Sequence, residues 1–176
     1  MISMLVFSLL VGGILSANIF GLKMCEITKN KLERGLQARA VIGNLAAEVR
    51  SARAVLVGSV ANGVFSATLA GQPQTGNALA IFPTTNDTTF IIYFLNPNST
   101  NESFRRFTSA STTPVELASS VTNSPIFTME DYAGNPLTTW KGQVVKIKLE
   151  FFQARGLAPD AEYFKLETAM ARRAIE

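Results

Sequence analysis

Apolar and polar positions change their rhythm three times along this chain. Residues 1–22 carry no charge and are mostly apolar, with no polar side to the run. From Lys23 the apolar positions recur at helical spacing: Ile27, Leu32, Leu36, Val41, Ile42, Leu45 and Val49. Lys29, Lys31, Glu33, Arg34, Arg39 and Glu48 fall between them as a solvated set. No proline occurs before Pro73. The pattern predicts one unbroken helix over 1–53, apolar all round in its first half and one-faced in its second. At ~1.5 Å per residue such a helix is roughly 80 Å long, more than a compact domain accommodates.

After Ala54 the period shortens. "AVLVGSV", "GVFSATLAG", "ALAIFPT" and "TTFIIYFLN" are apolar or β-branched runs between Gly, Pro and Asn, and they predict strands. "NPNSTNES" reads as a loop and "YAGNP" as a turn. The stretch "FRRFTSASTTPVELASSVTNSPIFTMED" predicts two or three weaker strands. "QVVKIKLEFF" alternates strictly, with Val145, Ile147, Leu149 and Phe151 on one face and Lys146, Lys148 and Glu150 on the other. "EYFKLETAM" alternates likewise, and the two are expected to pair as an antiparallel hairpin. "FIIYFLN", apolar on both faces, predicts a central strand covered by the helix. The expected fold is α+β: an apolar helix half (1–22), an amphipathic half (23–53) laid on a sheet, and an antiparallel β domain (54–176).

Composition narrows the chemistry. The 176 residues include one cysteine and no histidine, which removes internal disulfides and the commonest general base and metal ligand. Seven basic and three acidic residues fall in 1–53; nine and ten fall after it. The basic excess is thus confined to the helix, and the β domain offers no basic patch for nucleic acid. No motif frames a Ser–Lys pair or paired carboxylates, so neither an enzyme nor a cofactor is expected. Cys25 reads as an ordinary helix residue, and the sequons at Asn86, Asn98 and Asn101 as products of a Ser/Thr/Asn-rich composition. Arg105–Arg106 and Arg172–Arg173 read as solvated pairs, or as contacts to a neighbouring subunit. Glu130, Asp131 and Asn135 bring calcium-type oxygen ligands around "MEDYAGNP", but without EF-hand spacing, and an ordinary turn accounts for them equally well.

The opening segment admits three readings. A cleaved signal peptide needs a basic residue ahead of its apolar core and a small residue where Leu15 stands. A plain anchor has sufficient length, but Lys23, Lys29, Lys31 and Arg34 behind it predict a cytoplasmic β domain. The third reading rests on "MISMLVFSLLVGGILSANIFGLKMCEITKNKLERGLQARAVIGNLAAEVRSARAV", which resembles the N-terminal helix of type IV pilins and pseudopilins. Members of that family carry a basic leader, a cleavage-site glycine, a phenylalanine and a glutamate ahead of such a run. The leader, the glycine and the glutamate are missing here, so the chain is expected to start a few residues inside the mature protein. The later "IIYFLN", "VELASSVTNSPIFTMEDYAGNP", "VVKIKLEFF" and "YFKLETAMARR" are similar in order to the J-type minor pseudopilins of type II secretion systems.

The resemblance implies a filament subunit held in the bacterial inner membrane, with its β domain in the periplasm. It implies a prepilin peptidase, methylation, an assembly platform and other pilin-like subunits as partners. Leu5, Leu9, Gly12, Gly13, Ser16, Ala17, Phe20 and Gly21 are the expected positions of helix packing. A minor pilin of a surface pilus (for adhesion, motility or DNA uptake) and an anchored periplasmic binding domain that does not polymerise are the alternatives.

Overall fold

The computed structural model describes residues 2–61, 63–96, 103–111, 113–140, 144–153 and 162–173. An α-helix, α1, runs over Ile2–Ser51 without a break. Among the described residues ten strands follow: β1 (Ala54–Ala61), β2 (Val64–Ala67), β3 (Thr75–Gly76), β4 (Ala78–Phe82), β5 (Ile91–Asn96), β6 (Ser103–Thr108), β7 (Val115–Ala118), β8 (Phe127–Glu130), β9 (Val144–Gln153) and β10 (Glu162–Ala171). The α+β layout, with a long N-terminal helix ahead of antiparallel strands, is the one the sequence predicts. The chain divides into two compact units, Met1–Arg39 and Ala40–Glu176.

Within the second unit the strands form two sheets where one was expected. Six strands lie in the order β2-β1-β4-β5-β6-β7, and four in the order β10-β9-β8-β3. Every pairing is antiparallel. The sheets divide because the two-residue β3 pairs with β8 instead of joining its neighbour β4. Gly58 of β1 and Gly76 of β3 are where the two sheets meet backbone to backbone. A Cβ on Gly76 would stand 2.0 Å from the Gly58 carbonyl oxygen, so the approach exists only because Gly76 lacks one.

One core unites helix and sheets. Val41, Leu45, Val49 and Ala52 pack with Val57, Ile81, Tyr93 and Leu95 from the larger sheet and Phe127, Met129, Ile147 and Leu149 from the smaller. The alternation of β9 is as predicted, with Val145, Ile147 and Leu149 buried. β9 and β10 pair as expected, over ten residues in unbroken register. β5 is a central strand. Tyr93 and Leu95 face the core, and Phe94 joins a smaller cluster with Val60 and Ala78 on the opposite face. "NPNSTNES" lies almost wholly outside the described residues.

The apolar face of the helix is not buried along its predicted length. Leu45 and Val49 are fully buried, whereas Ile27, Leu32 and Leu36 are exposed. The stretch with buried positions, residues 38–51, spans roughly 20 Å, about four strand spacings. Helical periodicity marks a face that can pack, but the width of the sheet decides how much of it does. The helix ends where its last carbonyls find new donors: Ala52 N–H donates to Val49 O (3.3 Å) and Arg173 N–H to Arg50 O (3.4 Å).

Candidate functional site

The most unusual surface is the first part of α1. Val6–Lys29 is 24 residues long with a mean hydropathy of 1.7, and none of it is buried. At ~1.5 Å per residue it spans roughly 36 Å, and the hydrocarbon core of a bilayer is about 30 Å thick. The segment is therefore long and apolar enough to cross a membrane. Its large side chains stand open, among them Phe7, Leu9, Ile14 and Phe20, the last 64 % exposed. An apolar surface this continuous is not stable in water without a cover.

Seven of the eight predicted packing positions fall on this segment, and Leu5 immediately precedes it. Leu5, Leu9, Gly13, Ala17 and Gly21 follow one another at intervals of four, and Gly12, Ser16 and Phe20 form the adjoining row. The side chain of Leu5 lies outside the described residues. Gly13, Ala17 and Gly21 make a ridge of small residues of the kind that lets two helices approach closely. A Cβ added to Gly12, Gly13 or Gly21 would meet nothing within 4 Å. Each glycine costs an isolated helix about 1 kcal/mol relative to alanine, and no contact among the described residues offsets it. Cys25 is exposed on the same helix, and Thr28 donates back to Met24 O (2.8 Å).

The other end of α1 carries a polar cluster that periodicity misread. Glu48, grouped with the solvated residues in sequence, accepts from Tyr93 Oη (2.8 Å) and from Arg106 (2.7 Å). The Arg106 guanidinium also lies over the Tyr93 ring, 5.9 Å from its centre. One carboxylate thus ties the helix to β5 and β6. Arg106 is correspondingly not a solvated arginine, while its neighbour Arg105 makes a looser pair with Glu116 (3.7 Å). Arg172 donates to Arg53 O, joining the chain end to the start of β1. Nothing local marks these pairings, because Glu48 and Arg106 lie 58 positions apart.

Burial, reinforced by the hydrogen bond to Glu48, raises the Tyr93 phenol well above its ordinary value near 10. The native state therefore holds this proton where the unfolded chain releases it. Stability from this group is complete below about pH 10 and declines as pH rises beyond it, by up to about 1.4 kcal/mol per pH unit. Phenolate absorbance is expected to show one of the three tyrosines ionising only as the β unit unfolds. Tyr93→Phe should flatten the alkaline slope while costing about 1 kcal/mol at neutral pH.

The turn at Asp131 does not gather its oxygen ligands around a common point. Asp131 Oδ1 accepts from Ala133 N–H (2.9 Å) and Asn135 N–H (2.8 Å), and Oδ2 from Asn135 Nδ2 (3.0 Å). These donors, the Asn135 side chain foremost, hold its carboxyl below the usual range. Glu130 pairs instead with Lys146 (3.5 Å). Among the described residues no three acidic, cysteine or histidine side chains converge as a metal site. Asn86 caps its own turn by accepting from Thr88 N–H (3.1 Å), and Asn98 and Asn101 lie outside the described residues.

A cleft of about 430 Å³ opens on the outer face of the smaller sheet, lined in part by Asn123, Thr128, Lys146, Lys148, Lys165 and Glu167. Each of its lysines meets a carboxylate, Lys148 that of Glu150 (2.5 Å) beyond the lining. Glu167 accepts from Lys146 (2.8 Å) and Lys165 (2.6 Å), which hold its carboxyl down to about 2. The Lys/Glu alternation in β9 and β10 foretold charged outer faces, but not that the two strands would interlock them. No protein-family model, curated protein or solved structure matches this chain.

Proposed function

We propose that this chain is a pilin-like structural subunit, a minor pseudopilin of a type II secretion pseudopilus whose work is assembly and not catalysis. In this reading the apolar part of α1 holds the subunit in the bacterial inner membrane. It later packs against the same helix of other pilin-like subunits, and the β unit lies in the periplasm. A prepilin peptidase and an assembly platform are the implied partners.

The observation that carries the reading is the continuity of α1. One helix begins as an exposed apolar rod and ends as part of a buried core. A detachable signal peptide has no need of that continuity, since its removal would leave the core helix cut. The glycines of the rod add support. They weaken a lone helix, and their small size is useful only where another helix comes close.

The reading is checked with the full chain, expressed in a bacterium that has an assembly system and carrying Ser16→Cys in a Cys25→Ser background. The protein should stay with membranes after an alkaline wash. Mild oxidation should give reducible cross-linked species that disappear when the assembly ATPase is deleted. A membrane-bound protein that never cross-links would establish instead the anchored domain that does not polymerise. Recovery in the wash would exclude both. Dependence on a pilus ATPase in place of a secretion ATPase would assign the chain to a surface pilus.

A further inference from the structure

The ends of the two sheets are unequal. Three are short: β2 and β7 have four residues each, and β3 has two. The β6–β7 ladder is also interrupted by a register shift at Phe104/Arg105. The fourth edge is β10, ten residues without proline, paired with β9 in unbroken register. Among the described residues, no backbone hydrogen bond reaches its outer side. Such an edge presents a row of unsatisfied N–H and C=O groups and is a template for another strand. Lysine on an edge normally discourages pairing, but here Lys165 is answered by Glu167 at 2.6 Å.

We infer that β10 pairs with β10 of a second copy of this chain, antiparallel about a two-fold axis through Leu166, making one eight-stranded sheet from the two four-stranded sheets. The charge order selects this partner and this register. With Leu166 opposite itself, Lys165 faces the partner's Glu167 and Glu167 faces the partner's Lys165. Within each copy Lys165 is already opposite Glu150, and Glu167 opposite Lys148. The outer face then carries two rows of strictly alternating charge, Lys148–Glu167–Lys165–Glu150 in one direction and its inverse in the other. Opposite charges placed directly across a strand pair stabilise it, and like charges destabilise it.

The neighbouring registers fail on the same ground. A slip by two residues sets Lys165 against Lys165 or Glu167 against Glu167, and a parallel arrangement does both. A slip by one residue turns the outward-pointing backbone groups of one copy toward inward-pointing groups of the other. On the inner side the selected register sets the half-buried Leu166 against its own copy, covering apolar surface that a lone edge leaves open. This pairing is independent of the helix and holds whether or not the chain polymerises.

The test uses the detergent-solubilised full chain in a Cys25→Ser background. Leu166→Cys should oxidise to a cross-linked dimer, because directly opposed Cβ atoms are about 5 Å apart. Thr168→Cys, on the same face but displaced from its copy by four residues, should not. Lys165→Glu alone and Glu167→Lys alone should each sediment as monomers. Mixing the two should restore a dimer, since each then meets its opposite. Thermal melting of each variant confirms folding. A wild-type chain that stays monomeric at all concentrations overturns the inference. So does cross-linking of Leu166→Cys only to a different protein, or failure of the two charge variants to pair when mixed.

Discussion

Leu45→Ala is expected to destabilise the Ala40–Glu176 unit by about 3–4 kcal/mol. The side chain is fully buried in the core that α1 shares with both sheets, so its removal leaves a cavity among hydrogen-bonded elements. Each is held by its own hydrogen bonds and cannot collapse inward, which places the cost toward the upper part of the usual range. For a unit of this size the loss corresponds to a fall in Tm of about 10 °C. Leu36→Ala serves as the comparison. Leu36 belongs to the same predicted apolar face but is 57 % exposed, and its loss should stay within about 0.5 kcal/mol. Chemical denaturation of the full chain in detergent, followed by β-sheet circular dichroism, measures both. Equal losses would mean that the helix packs along its whole amphipathic length.

Gly76→Ala should cost about 3 kcal/mol or more, by crowding where the other substitution acts by cavity. The new methyl would sit 2.0 Å from Gly58 O, and that oxygen belongs to a strand paired on both sides. Relief requires the sheets to move apart, which opens the core between them. Gly58→Ala meets Ser66 O at 2.1 Å within its own sheet and should cost a similar amount by straining the β1–β2 pairing. Gly43→Ala gives the opposite sign. It lies on an exposed helical turn with nothing within 4 Å, so it should stabilise by up to about 1 kcal/mol. The same denaturation series reads all three, and a neutral Gly76→Ala would show that the two sheets do not meet as described.

These contrasts mark where sequence reading succeeds. Strand β9 was legible because one face of it is buried, so chemistry alternates with the pleat. Strand β3 was not, since two residues carry no periodicity, and its place is set by its register with β8. The apolar rod of α1 was legible for a related reason: its surface is uniform, and uniformity needs no partner to be seen. The Glu48–Tyr93–Arg106 cluster was not. A glutamate between apolar helical positions has the pattern of a solvated residue, and a pair of arginines on a strand has the same pattern. Only the fold brings the three together.

Local rules thus determined the order of elements, the unbroken helix, the apolar character of its start and the faces of the long strands. All of these depend on neighbours within a few residues, where period and composition act directly. Tertiary structure alone decided that the strands divide into two sheets and that the helix is buried only from about Ala38 onward. It also decided that the sheets meet at Gly58 and Gly76, and that among the described residues β10 is left as a long open edge. Each of those outcomes depends on which distant segments compete for the same space and the same backbone hydrogen bonds. That competition is settled by packing of the whole unit, which no single window of the chain contains.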